Sequence, residues 1–151
     1  MVGYLFAGQG SQYVGMGKDL YDNFPQAKAV FDQADEALGF SISNLCFNGP
    51  LEELTKTNNC QPAIVTMSIA CWQAYLSRNS QIEGYFAGLS LGEYSALVAA
   101  GALSFADAVY LVRRRGEFME EEAQKRPGKM LSVIGLDLAA VKEVCVQAGA
   151  E

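Results

Sequence analysis

The chain has 151 residues, half of them hydrophobic and 19% charged, a balance that suits one folded globular domain and argues against a disordered segment. Its net charge of −6, with no basic run longer than Arg113-Arg114-Arg115, argues against a nucleic-acid footprint. The four cysteines lie far apart with no C-x-x-C, and there is no histidine, so the thiols read as free and a zinc or other metal site is not expected.

Met1 leads straight into a strand-like segment without a basic region followed by an apolar one, which is not a signal-peptide pattern. Val2 to Phe6 reads as a buried strand running into the glycine-rich loop Ala7-Gly8-Gln9-Gly10-Ser11-Gln12. Helical patterns follow over Gly17 to Asn23 and Gln26 to Leu38, the second opened by Pro25 and closed by Gly39. Asn48-Gly49-Pro50 marks a turn and Leu51 to Thr55 a short helix. Gln61 to Arg78 predicts a long, largely buried helix with Pro62 in its first turn. Gln, Ser and Thr interrupt its apolar run, so no membrane span is expected.

Gly84 to Gly88 is the second strand candidate, followed by a helix over Leu91 to Ala100 that closes at Gly101. Ser104-Phe105-Ala106-Asp107 resembles a capping box that opens a helix reaching about Gln124, and Arg126-Pro127-Gly128 breaks it. Lys129 to Gly135 reads as a third strand and Leu138 to Gln147 as an amphipathic helix. Strand and helix in alternation predict an α/β architecture. Three strands are few for a doubly wound sheet, so the chain reads as part of a domain, with the Pro127-Gly128 break as the one plausible junction.

Gly88-Leu89-Ser90-Leu91-Gly92 fits G-x-S-x-G at a strand end that opens a helix. A nucleophile on so sharp a turn needs neighbours without bulk two residues before and after it. The hydroxyl of Ser90 would project beyond the sheet, and the backbone N–H of Leu91, at the helix N-terminus, could stabilise an oxyanion. The pattern alone leaves two readings open, a nucleophile and an inert glycine-rich turn. Three residues on, Glu93 is within a helical turn of Ser90; it reads as a base or, more simply, as a carboxylate balancing the helix N-terminus.

On the helix from Ser104, Ala108, Leu111, Val112, Phe118 and Met119 form an apolar face with Arg115 in its middle. Arg113 and Arg114 fall on the solvated side, where Arg113 and Glu117 have i,i+4 spacing. A cation heading for the core needs an anion. For Arg115 that anion is either a protein carboxylate or a substrate carboxylate gripped bidentately.

The segments "VGYLFAGQGSQYVGMG", "QPA", "GLSLGEYSALVAAGAL" and "RRRGEFM" stand in the order found in a known family. They resemble the N-terminal half of malonyl-CoA:acyl carrier protein transacylases, the acyltransferases of fatty acid and polyketide biosynthesis. The resemblance covers essentially the whole chain. It implies an α/β-hydrolase-like core, present in part over residues 1–126, with residues 127–151 beginning an inserted ferredoxin-like subdomain. It implies that Ser90 is the catalytic serine, taking a malonyl group from malonyl-CoA and passing it to the phosphopantetheine thiol of acyl carrier protein. On the same ground the oxyanion hole falls to Gln9 and Leu91, the grip on the malonyl carboxylate to Arg115, and a place near the pocket to Gln61. Leu91 after the serine is similar to malonyl-specific members. No permanently bound cofactor is implied, malonyl-CoA being a substrate; the free thiols, on their own ground, read as those of a cytoplasmic protein.

Two departures bear on these expectations. The family often carries histidine where Leu89 stands, a change in pocket polarity rather than in the base. The family's catalytic base is a histidine downstream of the serine, beyond Glu151, and a serine hydroxyl without a base is a weak nucleophile. The chain is therefore expected to need the missing C-terminal half of the domain for stability and activity. A serine hydrolase or thioesterase using the same corner, and a catalytically inactive fragment, are the other readings; an arginine at the pocket has no use in a hydrolase of neutral esters.

Overall fold

A computed structural model describes residues 2–79, 83–126, 128 and 133–149. Strand β1 (Val2–Phe6) is followed by helices α1 (Lys18–Asn23), α2 (Pro25–Leu38), α3 (Ile42–Asn48), α4 (Leu51–Thr55) and α5 (Thr57–Leu76). Strand β2 (Gly84–Gly88) then leads into α6 (Leu91–Ala99), α7 (Phe105–Lys125) and α8 (Leu138–Gln147). The α/β class expected from the alternation is what the structure shows, with a two-stranded sheet among the described residues.

The strands pair in parallel, from Val2 opposite Gly84 to Phe6 opposite Gly88. Parallel pairing sends both strands out at the same end, so the loops after Phe6 and Gly88 emerge side by side. Ligands of open α/β sheets sit at that end. Alternation along the strands turns Tyr4, Phe6 and Phe86 toward α5, where the Tyr4 and Phe86 rings meet the edge of Trp72 at 5.0 and 5.4 Å between centroids.

Helix α5 is the centre of the core. Every residue from Cys60 to Thr66 is buried, as the sequence suggested for a helix apolar on all sides. Against it pack α2, through Ala27, Val30, Phe31 and Ala34 at helical spacing, and α7, through Ala108, Val109, Val112 and Gly116. Among the described residues, no helix is long and apolar enough to cross a membrane.

Four expectations change. Helix α5 begins at Thr57 rather than Gln61, which places Pro62 inside it and not in its first turn. Helix α3 was not foreseen; Ser41 caps it by accepting from the Asn44 N–H at 3.1 Å. Helix α8 matches its expected range but has no buried residue, so no packed apolar face accompanies its pattern. Of the expected third strand, Lys129–Ser132 lie outside the described residues, and Val133–Gly135 are not in a strand. Pro127 of the expected junction also lies outside them. The four cysteines are free, Cys46 and Cys60 being buried.

Candidate active site

Ser90 occupies the corner between β2 and α6 with φ 54° and ψ −101°, the one non-glycine residue at positive φ among the described residues. Such a conformation costs about 1–3 kcal/mol and persists only where the surroundings enforce it. The enforcing contacts are backbone to backbone. A Cβ on Gly88 would lie 2.1 Å from the carbonyl carbon of Gly92, and a Cβ on Gly92 would lie 2.4 Å from the carbonyl oxygen of Phe6. Both glycines of the motif are therefore sterically required, the second because α6 starts directly against the end of β1.

Side by side with the corner runs the glycine-rich loop. A Cβ on Gly8 would touch the Leu89 carbonyl at 3.5 Å, so this loop abuts the corner. Within it, Ser11 Oγ donates to the Gly8 carbonyl at 2.9 Å and the Gly10 N–H donates to Gln12 Oε1 at 2.9 Å. Next to Ser90, Leu91 is the first residue of α6, where no intrahelical carbonyl is available to its N–H. Beneath the loop sits Cys60, whose thiol is pushed up by burial and drawn the other way by a backbone hydrogen bond from Gly10.

Arg115 reaches this corner from α7. Its Nη2 donates to Ser90 Oγ at 2.8 Å and its Nη1 to Gln61 Oε1 at 2.9 Å. Gln61 is wholly buried, and its Nε2 donates to Met119 Sδ at 3.3 Å and more distantly to Gln9 Oε1 at 3.5 Å. The Gln9 side chain in turn donates to Thr57 Oγ1 at 3.5 Å. The ring of Tyr94 lies 5.9 Å from the guanidinium carbon. Ser90, Arg115, Gln61 and Gln9 thus come together from β2–α6, α7, α5 and the loop after β1.

The surroundings of the arginines correct the reading of α7. Leu111, Phe118 and Met119 are 44%, 55% and 43% exposed, so the core face runs instead through Ala108, Val109, Val112 and Gly116. Arg115 stands half-buried at its border. Among the described residues no carboxylate forms an ion pair with it; its acceptors are the neutral Gln61 and Ser90. Arg113 is not simply solvated. Besides its pair with Glu117 at 2.9 Å, its Nη1 donates to the Asn58 carbonyl at 3.0 Å and to Asn59 Oδ1 at 2.6 Å. Arg114 pairs with Glu117 at the surface, as expected.

Glu93 does not meet the Ser90 side chain through any described hydrogen bond; it lines a cavity along β2 with Tyr85, Ala87 and Leu97. Leu89 is 84% exposed. Sequence reasoning missed Met119 and Thr57 as members of the network. Met119 carried a signal, since it lies one turn beyond Arg115 on the same side of α7; Thr57 carried none.

The family model for the acyl transferase domain matches residues 3–148. A malonyl CoA-acyl carrier protein transacylase of Bacillus subtilis strain 168 is 53% identical over 143 residues, covering 95% of this chain and 45% of that protein. The crystal structure of the corresponding protein from Streptococcus pneumoniae superposes with a TM-score of 0.86 at 44% identity, covering 97% of this chain and 48% of that one. A solved complex of a type II polyketide acyl-carrier protein with its malonyl-transacylase matches at TM-score 0.83 and 37% identity, over 96% of this chain and 47% of that one. The chain spans less than half the length of these relatives. With the corner, the loop and the arginine in one place, and the match running over nearly every residue, this chain belongs to the acyl transferase domain family and corresponds to the N-terminal half of malonyl CoA-acyl carrier protein transacylases.

Proposed function

We propose that the chain supplies the nucleophile and the acyl-recognition side of a malonyltransferase, moving a malonyl group from malonyl-CoA through an ester on Ser90 to the phosphopantetheine thiol of acyl carrier protein. The observation that carries the reading is the Arg115 guanidinium 2.8 Å from Ser90 Oγ with neutral protein acceptors. In a malonyl ester the carboxylate carbon is three bonds from Oγ. A cation bonded to Oγ in the free protein is therefore within reach of that carboxylate once the ester forms. A half-buried arginine with no carboxylate partner among the described residues also disfavours an uncharged acyl group, which would leave it unsatisfied.

In the first step Ser90 Oγ attacks the thioester carbonyl and gives its proton to a base. The carbonyl oxygen, now negative, faces the N–H groups of Leu91 and Gln9, the first favoured by the N-terminus of α6. The C–S bond then breaks and coenzyme A leaves as the thiol. The second step repeats the attack with the carrier's thiol on the seryl ester and returns the proton to Oγ. The 151 residues contain no histidine, so the base of this scheme belongs to the remaining half of the domain. That half also covers the outer sheet face, where Leu5 is 84% and Tyr85 66% exposed. In this reading the described fold is part of an α/β-hydrolase-like core, and the residues from 127 onward open a ferredoxin-like subdomain.

Incubation of the full gene product with radiolabelled malonyl-CoA tests the scheme. Label is expected on the Ser90 peptide and is abolished by Ser90→Ala. Arg115→Ala is expected to lower malonyl labelling by about 100-fold or more, while acetyl labelling changes by a few-fold. Equal losses for both acyl groups would remove Arg115 from recognition. Release of free malonate in place of transfer to a thiol would turn the reading toward a hydrolase.

A further inference from the structure

The first turn of α5 has two backbone defects. Its N-cap, Lys56, makes no side-chain capping bond; its carbonyl accepts the Asn59 and Cys60 N–H groups at 2.9 and 2.7 Å, which leaves the Asn58 N–H without a capping acceptor in the turn. Four residues after Asn58, Pro62 has no N–H, which leaves the Asn58 carbonyl without its helical donor. Both defects are repaired from α7. Glu120 Oε1 accepts the Asn58 N–H at 3.2 Å, and Arg113 Nη1 donates to the Asn58 carbonyl at 3.0 Å and to Asn59 Oδ1 at 2.6 Å. Between these two residues on the same face of α7 lies Gly116. A Cβ there would stand 2.6 Å from Asn58 Cα and 2.7 Å from the Thr57 carbonyl oxygen. Three α7 residues at i, i+3 and i+7 thus converge on one residue of α5, Asn58, and the two peptide units that flank it.

We infer that Arg113, Gly116 and Glu120 are positioning residues that fix α7 on the first turn of α5 and so set Arg115 over Ser90. Arg115 is the neighbour of Gly116 in the chain, and its Gln61 acceptor lies one turn beyond Asn58. The seam therefore joins the two elements that hold the guanidinium, and Thr57 extends it to the Gln9 side chain. No backbone contact as close as that of Gly116 is possible with any side chain there, so its hydrogen atom sets how near α7 comes. The inference deepens the malonyltransferase reading and rests on it for the substrate: the seam decides selectivity for a carboxylated acyl group without touching it.

The test uses the full gene product and compares wild type, Gly116→Ala, Arg113→Gln and Arg115→Ala, each with malonyl-CoA and with acetyl-CoA. Gly116→Ala must move α7 by on the order of 1 Å, a displacement that costs ~100-fold in well-placed sites. It is expected to raise KM for malonyl-CoA and to lower the malonyl-to-acetyl preference by about 10–100-fold, with acetyl transfer falling less than about threefold. Arg113→Gln shows the same loss at a smaller size, and carries the test should Gly116→Ala fail to fold. In an Arg115→Ala background Gly116→Ala leaves the preference unchanged. Equal losses for both donors, or losses additive with Arg115→Ala, would overturn the inference. Should wild type accept no malonyl group, the substrate reading fails and crystal structures judge the seam alone. Gly116→Ala is then expected to part Arg115 from Ser90 beyond hydrogen-bond reach, and a contact kept at wild-type length overturns it.

Discussion

The two faces of the small sheet are made by alternate residues of the same strands and have opposite surroundings. Toward α5, Tyr4, Phe6 and Phe86 interlock with Trp72 above a core in which Phe31, Ile42 and Leu54 are wholly buried. On the other face Leu5 and Tyr85 are among the most exposed apolar residues of the chain. The candidate site lies where these regimes meet, at the strand ends. Its corner is held against the end of β1, and its arginine is held by Gln61 of α5. The difference teaches that the Ser90 hydroxyl and the Arg115 guanidinium meet at the border between a packed face and an open one.

The comparison is sharpest in paired truncations. Phe31→Ala is expected to cost about 3–5 kcal/mol in urea unfolding of the chain, and Leu5→Ala less than about 0.5 kcal/mol. Similar costs would mean that the outer face is covered. Next in size, Gly88→Ala sets a Cβ against the Gly92 backbone and should cost about 1–3 kcal/mol by displacing the corner. Unchanged stability would show that the corner relaxes freely. Ser104→Ala removes the acceptor of the Asp107 N–H, 3.2 Å away, and should lower the unfolding free energy by about 1 kcal/mol.

Smallest in energy is a contrast of thiols. Cys46 is buried in the helical core, which pushes its thiol up to about 12, with the Asp35 charge adding to the effect, whereas Cys145 is exposed on α8. With an aromatic disulfide reagent at pH 8, Cys145 should react at once and Cys46 only on unfolding. Because the folded state keeps the Cys46 proton, its contribution to stability is complete below the unfolded thiol range near ~8.5 and is lost as pH rises toward 12. Equal reaction rates would place Cys46 outside the core.

Several features of the site were legible in the residues themselves. The spacing of Gly88, Ser90 and Gly92 expressed a steric need that the backbone contacts bear out. Pro25 and Gly39 bounded α2 as their fixed φ and left-handed φ dictate. Arg115 stands out because a charge near an apolar stripe demands a partner, although beyond Ala108 and Val112 the buried stripe runs through Val109 and Gly116 in place of Leu111, Phe118 and Met119. Other features were not legible. Arg113 had a satisfactory partner four residues away, which hid its bonds to Asn58 and Asn59. The start of α5 was set too late because Pro62 normally opens a helix; here the carbonyl it orphans is satisfied from α7.

The sequence by itself determined the span of α2, the sharp corner at Ser90 and the family, since each depends on residues a few positions apart or on motifs in order. Only the tertiary structure decided what Arg115 faces, which residues α7 buries, and which remote groups complete the first turn of α5. Those partners are more than 50 residues away in the chain, and nothing in local spacing says which distant acceptor a donor will meet.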